Sequence, residues 1–120
     1  MEHRMDMRFP LRIRASVISN NNRMEGITLD LSFEGACIQL AAAESLKPRL
    51  RQAVRVHLNL ASSTLELPAM VVRIDEHHIG LMFGRYSDAA ERQLGTLFTG
   101  WADSNGSGLS AQRAKAGSLG

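Results

Sequence analysis

Val54-Arg55-Val56-His57-Leu58-Asn59-Leu60 places an aliphatic side chain at every second position. Successive side chains of an extended chain point to opposite faces, so this stretch reads as a strand with one dry and one wet face. The same period runs outward from it in both directions. Upstream, Leu11, Ile13, Ala15 and Val17 alternate with Arg12, Arg14 and Ser16. A turn at Ser19, Asn20, Asn21 and Asn22 follows, because Asn tolerates positive φ and bonds its own backbone. Ile27, Leu29 and Leu31 then alternate with Thr28 and Asp30, and a tight connection over residues 32–35 leads into Ala36, Ile38 and Leu40. Downstream, residues 65–74 form a fifth strand, apolar in part on both faces, with Pro68 marking an edge or a bulge. Residues 78–83 form a sixth, with Ile79, Leu81 and Phe83 inward.

Six short strands at hairpin spacing predict a mainly β fold: a closed or nearly closed antiparallel β-barrel, whose closure removes aggregation-prone edges. Residues 41–52 exceed a hairpin turn, and a helical turn is read over 41–46. One helix follows the strands. Asp88 is expected to cap it, with Glu91 completing a capping box. Ala90, Leu94, Leu97, Phe98 and Trp101 fall on one helical stripe, and the barrel mouth is the apolar surface available to it. Phe98 and Trp101 are therefore read as packing residues. After Trp101 the composition turns to Gly, Ser and Ala. The expected organisation is an Arg-rich arm over 1–9, a barrel domain with its helix over 10–102, and a disordered tail over 103–120.

The chain has 120 residues, 44% of them hydrophobic and 22% charged, which suits one globular domain with its own core. The N-terminal MEHRMDMRF lacks the apolar stretch of a signal peptide, so the cytoplasm is the expected compartment. No run is long and apolar enough for a membrane helix. Cys37 is the single cysteine and cannot form an internal disulfide; it reads as a small strand residue. Among the four histidines, His77 and His78 are adjacent, and on a strand they would point to opposite faces. No metal-ligand spacing, glycine-rich phosphate loop or local nucleophile–base pair occurs, so no enzyme, metal or cofactor is expected. The net charge is only +2, but Arg4, Arg8, Arg12 and Arg14 face only Glu2 and Asp6 at the start of the chain. Arg offers a rigid fork for phosphates and base edges, which suits an anion-binding arm; a solvated terminus is the plain alternative.

Two stretches carry the functional reading. Arg4-Met5-Asp6-Met7-Arg8 is an Arg-x-x-x-Arg pattern, and Pro10 pushes Phe9 into extended geometry before the first strand. Asp30-Leu31-Ser32-Phe33-Glu34-Gly35 is an Asp-x-Ser-x-x-Gly pattern at a strand end. Asp30 and Ser32 are two apart, so they are expected on one outer face, opposite Ile27, Leu29 and Leu31. Gly35 can take positive φ and lets a ligand or a backbone come close. The alternative for this second pattern is a turn in which Asp and Ser bond local N–H groups.

With these motifs in this order, the sequence resembles the PilZ domain family. The resemblance runs from Arg4 to Trp101. It rests on Arg4 and Arg8, the Phe9-Pro10-Leu11-Arg12-Ile13 entry, Asp30, Ser32 and Gly35, and the Ile79-Gly80-Leu81-Met82-Phe83 strand before a final helix. It implies a six-stranded barrel with a C-terminal helix and a bacterial receptor for the second messenger cyclic di-GMP. Arg4 and Arg8 would grip phosphate and the guanine edge, and Asp30 would accept from guanine N1–H and N2–H. Ser32 would add a hydrogen bond, Gly35 would leave room for the purine, and Arg73 would face the ligand from the fifth strand or be an ordinary exposed residue. His3 stands where members that hold two stacked ligands carry a further Arg. The expected signal is ordering of the arm, passed to a downstream protein partner in motility or biofilm formation. Two other classes remain beside it. One is a nucleotide-independent adaptor of the same fold acting through protein contacts. The other is a small barrel for single-stranded nucleic acid, which would need exposed aromatics that are here read as packing.

Overall fold

The structure is a computed structural model, and it describes residues 7–41 and 48–106. Six strands, β1 (Arg14–Ser19), β2 (Asn22–Leu31), β3 (Gly35–Leu40), β4 (Ala53–Asn59), β5 (Thr64–Ile74) and β6 (His78–Phe83), precede one helix, α1 (Asp88–Trp101). The strands close into a barrel in the order β1-β2-β3-β6-β5-β4, with β4 pairing back onto β1 and every pairing antiparallel. The alternation in the sequence maps onto the wall. Val54, Val56, Leu58, Leu65, Leu67, Ile79 and Leu81 all point into one buried core. Arg55 and Glu66 point outward from the same strands.

Pro68 sits where its missing N–H does no harm. Its carbonyl accepts from Gly84 N–H at 2.8 Å, just past the last β6 residue, so its nitrogen faces the side where ladder pairing has ended.

The strand starting at Asn22 departs from its expected phase. Met24, Gly26 and Thr28 point inward and Ile27 is exposed, the reverse of the face assignment read from Ile27 and Leu29. The register shifts between Thr28 and Asp30, so Leu29 is an extra residue. Beyond it, Leu31 is inward again while Asp30, opposite Cys37, is outward. The buried hydroxyl at Thr28 is satisfied by the approach to β1. It donates to Leu11 O and accepts from Ile13 N–H, and Thr28 N–H donates to Ile13 O.

The strand ends at Leu31, Asn59 and Phe83 and the strand starts at Arg14, Gly35 and Thr64 share one rim, and α1 packs there. Ala90, Leu94 and Phe98 are buried, as their spacing predicted. The cap is Ser87, not Asp88: its hydroxyl accepts from Ala90 N–H at 3.1 Å and its backbone is extended. Asp88 and Glu91 instead lie in the first turn, where negative charge complements the helix dipole. Beyond Trp101 a π-helical turn, Ala102–Gly106, carries helical structure past the expected boundary at 102. The helical turn read over 41–46 falls, but for Ala41, outside the described residues, as does the tail from 107 onward. No described helix is long and apolar enough to cross a membrane.

Thr28→Val keeps the shape and removes the hydroxyl, leaving Ile13 N–H and Leu11 C=O without that partner. Urea unfolding is expected to show a loss of about 2 kcal/mol. A loss below about 0.5 kcal/mol would mean that the β1 entry does not depend on this bond.

Candidate functional site

The segment before β1 is tied down at Phe9. Phe9 N–H donates to Leu31 O at 2.8 Å, and Leu31 N–H donates back to Phe9 O at 2.9 Å. Its ring stacks on Phe98, centroids 4.3 Å apart and planes 7° from parallel, with Trp101 edge-on at 5.7 Å. Phe9 was expected to end a flexible arm; it is instead docked between β2 and α1. That docking sets the neighbouring Arg8 beside the end of β2, and Arg8 Nη1 reaches Asp30 Oδ1 at 2.7 Å. Arg4 and His3 lie outside the described residues.

Asp30 belongs to a row that crosses four strands. It pairs with Cys37 on β3, Cys37 pairs with Gly80 on β6, and Gly80 pairs with Arg73 on β5. Arg73 reaches the outer face by the same device as Asp30. Leu65, Leu67, Ala69 and Val71 are inward, so unbroken alternation would turn residue 73 into the core. A register shift between Val71 and Arg73 makes Val72 the extra residue and turns Arg73 out. The Arg73 side chain then runs back across β6 and places Nη2 3.7 Å from Cys37 Sγ; its Nε lies 3.4 Å from Asp75 Oδ2. Arg8, Asp30, Cys37 and Arg73 thus form one strip on the outer wall. Burial, then the charge of Asp30, pushes the Cys37 thiol above its ordinary range, while Arg73 and Arg8 act the other way. The middle of the strip is therefore a neutral thiol at neutral pH, flanked by charges of both signs.

Ser32 does not join this surface. It is buried, its Oγ accepts from Glu34 N–H and Gly35 N–H at 3.1 Å each, and it faces Gly35 O at 3.3 Å. Its hydroxyl holds the β2–β3 turn, the alternative reading of the motif. Gly35 is buried beside it without positive φ, and the close approach it permits is that of a strand. A Cβ there would lie 2.1 Å from Leu81 O. Beside the turn an open cleft of about 370 Å³ runs among Phe33, Glu34, Met82 and Arg85. A wider groove of about 1040 Å³ lies elsewhere, between α1 and the β4–β5 turn, and among the described residues Arg92 is its one charged lining residue. The strip, with its converging charges, is the better candidate site.

Sequence reading missed Cys37 as part of the site. The signal was available: given the turn over residues 32–35, Cys37 falls opposite Asp30 in any hairpin register that pairs Leu31 with Ala36.

A closed barrel with a helix over one rim and a charged strip on its outer wall defines a small binding domain. The sequence matches the family model of the PilZ domain over residues 2–100, and the chain belongs to that family. No curated protein matches the sequence. Among solved structures, it is similar to the PilZ domain of CeSA from a cellulose-synthesizing bacterium, with 23% identity over 78% of this chain and 96% of that one and a TM-score of 0.65. It is also similar to the PilZ domain of YcgR from Escherichia coli, solved with c-di-GMP, with 16% identity over 88% of this chain and 94% of that one and a TM-score of 0.64. The Bacillus subtilis inhibitor of motility MotI/DgrA matches with 15% identity over 78% of this chain and 48% of that one, TM-score 0.65. Identities this low speak for the fold alone.

Gly35→Ala is expected to force β3 away from β6, because the new methyl meets a backbone carbonyl and not a movable side chain. Urea unfolding should show a loss of at least about 2 kcal/mol. Wild-type stability would mean that the two strands part without strain.

Proposed function

We propose that this PilZ domain is a cyclic di-GMP receptor, and that the strip of Arg8, Asp30 and Arg73 receives the ligand. The observation that supports it is the convergence of these three side chains, from three separate parts of the chain, on one stretch of outer wall. Cyclic di-GMP presents two phosphates and two guanines. The two Arg forks match phosphate oxygens or the O6 and N7 edge of guanine. Asp30, an acceptor with no hydrogen of its own, matches the adjacent N1–H and N2–H donors of guanine. Arg4 would add a second fork from the arm, Ser32 shapes the turn beneath the base and Gly35 lets that turn lie close to β6. The activity is binding, with no covalent step.

The Arg8–Asp30 pair does not bar the ligand. Its partners are 53% and 32% exposed, and such a pair is worth roughly 0–1 kcal/mol. Guanine and phosphate would replace it with bonds to both partners. Phe9 is the fixed end from which residues before it are drawn across the wall. Ordering them costs roughly 1–2 kcal/mol per residue, which limits affinity and creates a new surface for a downstream partner.

A second reading, the adaptor that acts without nucleotide, has one observation of its own. Met70, Val72 and Met82 are 37%, 45% and 48% exposed on the outer face of β5 and β6, beside the strip. A protein partner would cover them.

Isothermal titration of cyclic di-GMP, with GTP and cyclic di-AMP as controls, separates the two. Selective binding is expected, weakened roughly 10- to 100-fold in Arg8→Ala. Asp30→Ala should lose the preference over cyclic di-AMP. Both variants should melt within a few degrees of wild type. Hydrogen exchange should slow at amides before Phe9 when ligand is added. No heat at high excess with the wild-type protein would end the receptor reading in favour of the adaptor.

A further inference from the structure

We propose that Gly80 is a positioning residue for this site: its bare backbone is the track along which Arg73 crosses β6 to reach Cys37. The inference rests on the receptor reading for its function, though its geometric half does not need a ligand. Gly80 sits mid-strand on the outer face, between Arg73 and Cys37 in register. Glycine there is locally unfavourable, because a strand interior prefers β-branched side chains and gains nothing from the extra backbone freedom.

The neighbourhood gives the reason. A Cβ built at Gly80 would have three nearest atoms, all of Arg73: Cβ at 3.2 Å, Cζ at 3.7 Å and Nε at 3.8 Å. Gly26 and Gly35 differ in kind. A Cβ at either would strike a backbone carbonyl, Gln39 O at 2.5 Å or Leu81 O at 2.1 Å, so those two glycines let strands meet. At Gly80 the nearest atoms are the arginine's own: its Cβ, held on β5 at a tight 3.2 Å, and then the movable Cζ and Nε of its guanidinium. A methyl would press on its stem, and a branched side chain would occupy the ground over which the guanidinium lies. Arg73 would then leave Cys37 and fall back toward Asp75, its other partner. The substitution that strand energetics favours is thus the one that the site resists.

The test uses Gly80→Ala, Gly80→Val, Arg73→Ala and the Gly80→Val/Arg73→Ala double variant of the whole chain. Urea unfolding should show one cooperative transition for Gly80→Val with an m-value equal to that of the wild type, which removes misfolding as an explanation. Cys37 is the single cysteine, so its alkylation rate against pH reports Arg73 without any ligand. Arg73 and Arg8 favour the thiolate, while burial and Asp30 oppose it. The midpoint should rise in Arg73→Ala, rise as well in Gly80→Val, and rise no further in the double variant. Gly80→Ala should fall between wild type and Gly80→Val. Cyclic di-GMP affinity should follow the same order, with Gly80→Val losing as much as Arg73→Ala, about 3- to 10-fold, and the double variant no more.

A Gly80→Val midpoint equal to wild type, or no change in Arg73→Ala, would overturn the proposal. So would an affinity untouched by Gly80→Val but reduced by Arg73→Ala. Absence of cyclic di-GMP binding to the wild-type protein would instead end the receptor reading, while the thiol midpoints would still decide whether Gly80 sets the path of Arg73.

Discussion

A strand of alternating side chains cannot bury Thr28 and also carry Asp30 on its outer face. The two positions have the same parity, so one of them must be on the wrong side unless the phase is reset between them. The extra residue in β2 resets it. The same conflict arises in β5, where Val71 is buried and Arg73 must point outward, and Val72 resolves it in the same way. Each bulge gives up regular pairing at one point of a closed ladder. Each delivers a charged side chain to the outer wall, and the pairings between them put both in one row. The site is therefore a consequence of two phase errors inserted into an otherwise regular barrel. Without either bulge the alternation would turn its charged residue inward, and the core could not accept that charge without a partner.

The second constraint is the docking of Phe9. An exposed ion pair cannot hold a chain segment in place, because its net worth is comparable to thermal energy once side-chain ordering is counted. The Arg8–Asp30 contact must follow from something stronger. Two reciprocal backbone bonds between Phe9 and Leu31 and a stack on Phe98 supply it. Phe98 belongs to α1, so the helix that covers the rim also fixes the end of the arm. Fold and site share this contact, and loss of the helix would release Arg8 as well as expose the barrel mouth.

What could be read from the sequence followed from how strictly each element obeys a single period. The strands β3, β4 and β6 alternate without interruption, and their inward residues were legible one by one. The closure into a barrel followed from their number and spacing. In β2 the same period puts Asp30 on the outer face from a false premise, since it also makes Ile27 and Leu29 inward. A bulge leaves no mark in composition, and only the burial of Thr28 shows that the phase changes. Ser32 was misplaced for the same reason: projecting a strand's alternation past its last residue fails where the chain turns. Ser87 and Asp88 are both good caps side by side, and a shift of one residue at a helix end is decided by geometry that the sequence does not carry. The Arg8–Asp30 meeting was legible only as two motifs; that Phe9 would join them required the stack with Phe98.

The opposite side of the barrel shows why the strip and not that wall suits an anionic ligand. There too a row of polar residues crosses the strands, Glu25 opposite Ser16, Ser16 opposite His57 and His57 opposite Glu66. Most of that row is paired within itself, while the buried His57 Nε2 lies 3.5 Å from Glu66 Oε1 without a hydrogen bond. Ser16 and Arg23 each bond Glu25 at 2.8 Å and hold its carboxyl below the usual range, and Arg55 lies 3.7 Å from Glu66. Each acid named there has a basic or hydroxyl neighbour on an adjacent position, and an incoming phosphate would meet carboxylates first. On the strip two guanidinium groups flank a neutral thiol, Arg8 beside Asp30 and Arg73 beside Asp75, and Gly80 adds no side chain. Phosphate and guanine, the one needing cations and the other an acceptor, find both within a few residues of wall. The two rows are built from the same strands, and the difference between them comes down to where the bulges let charge out.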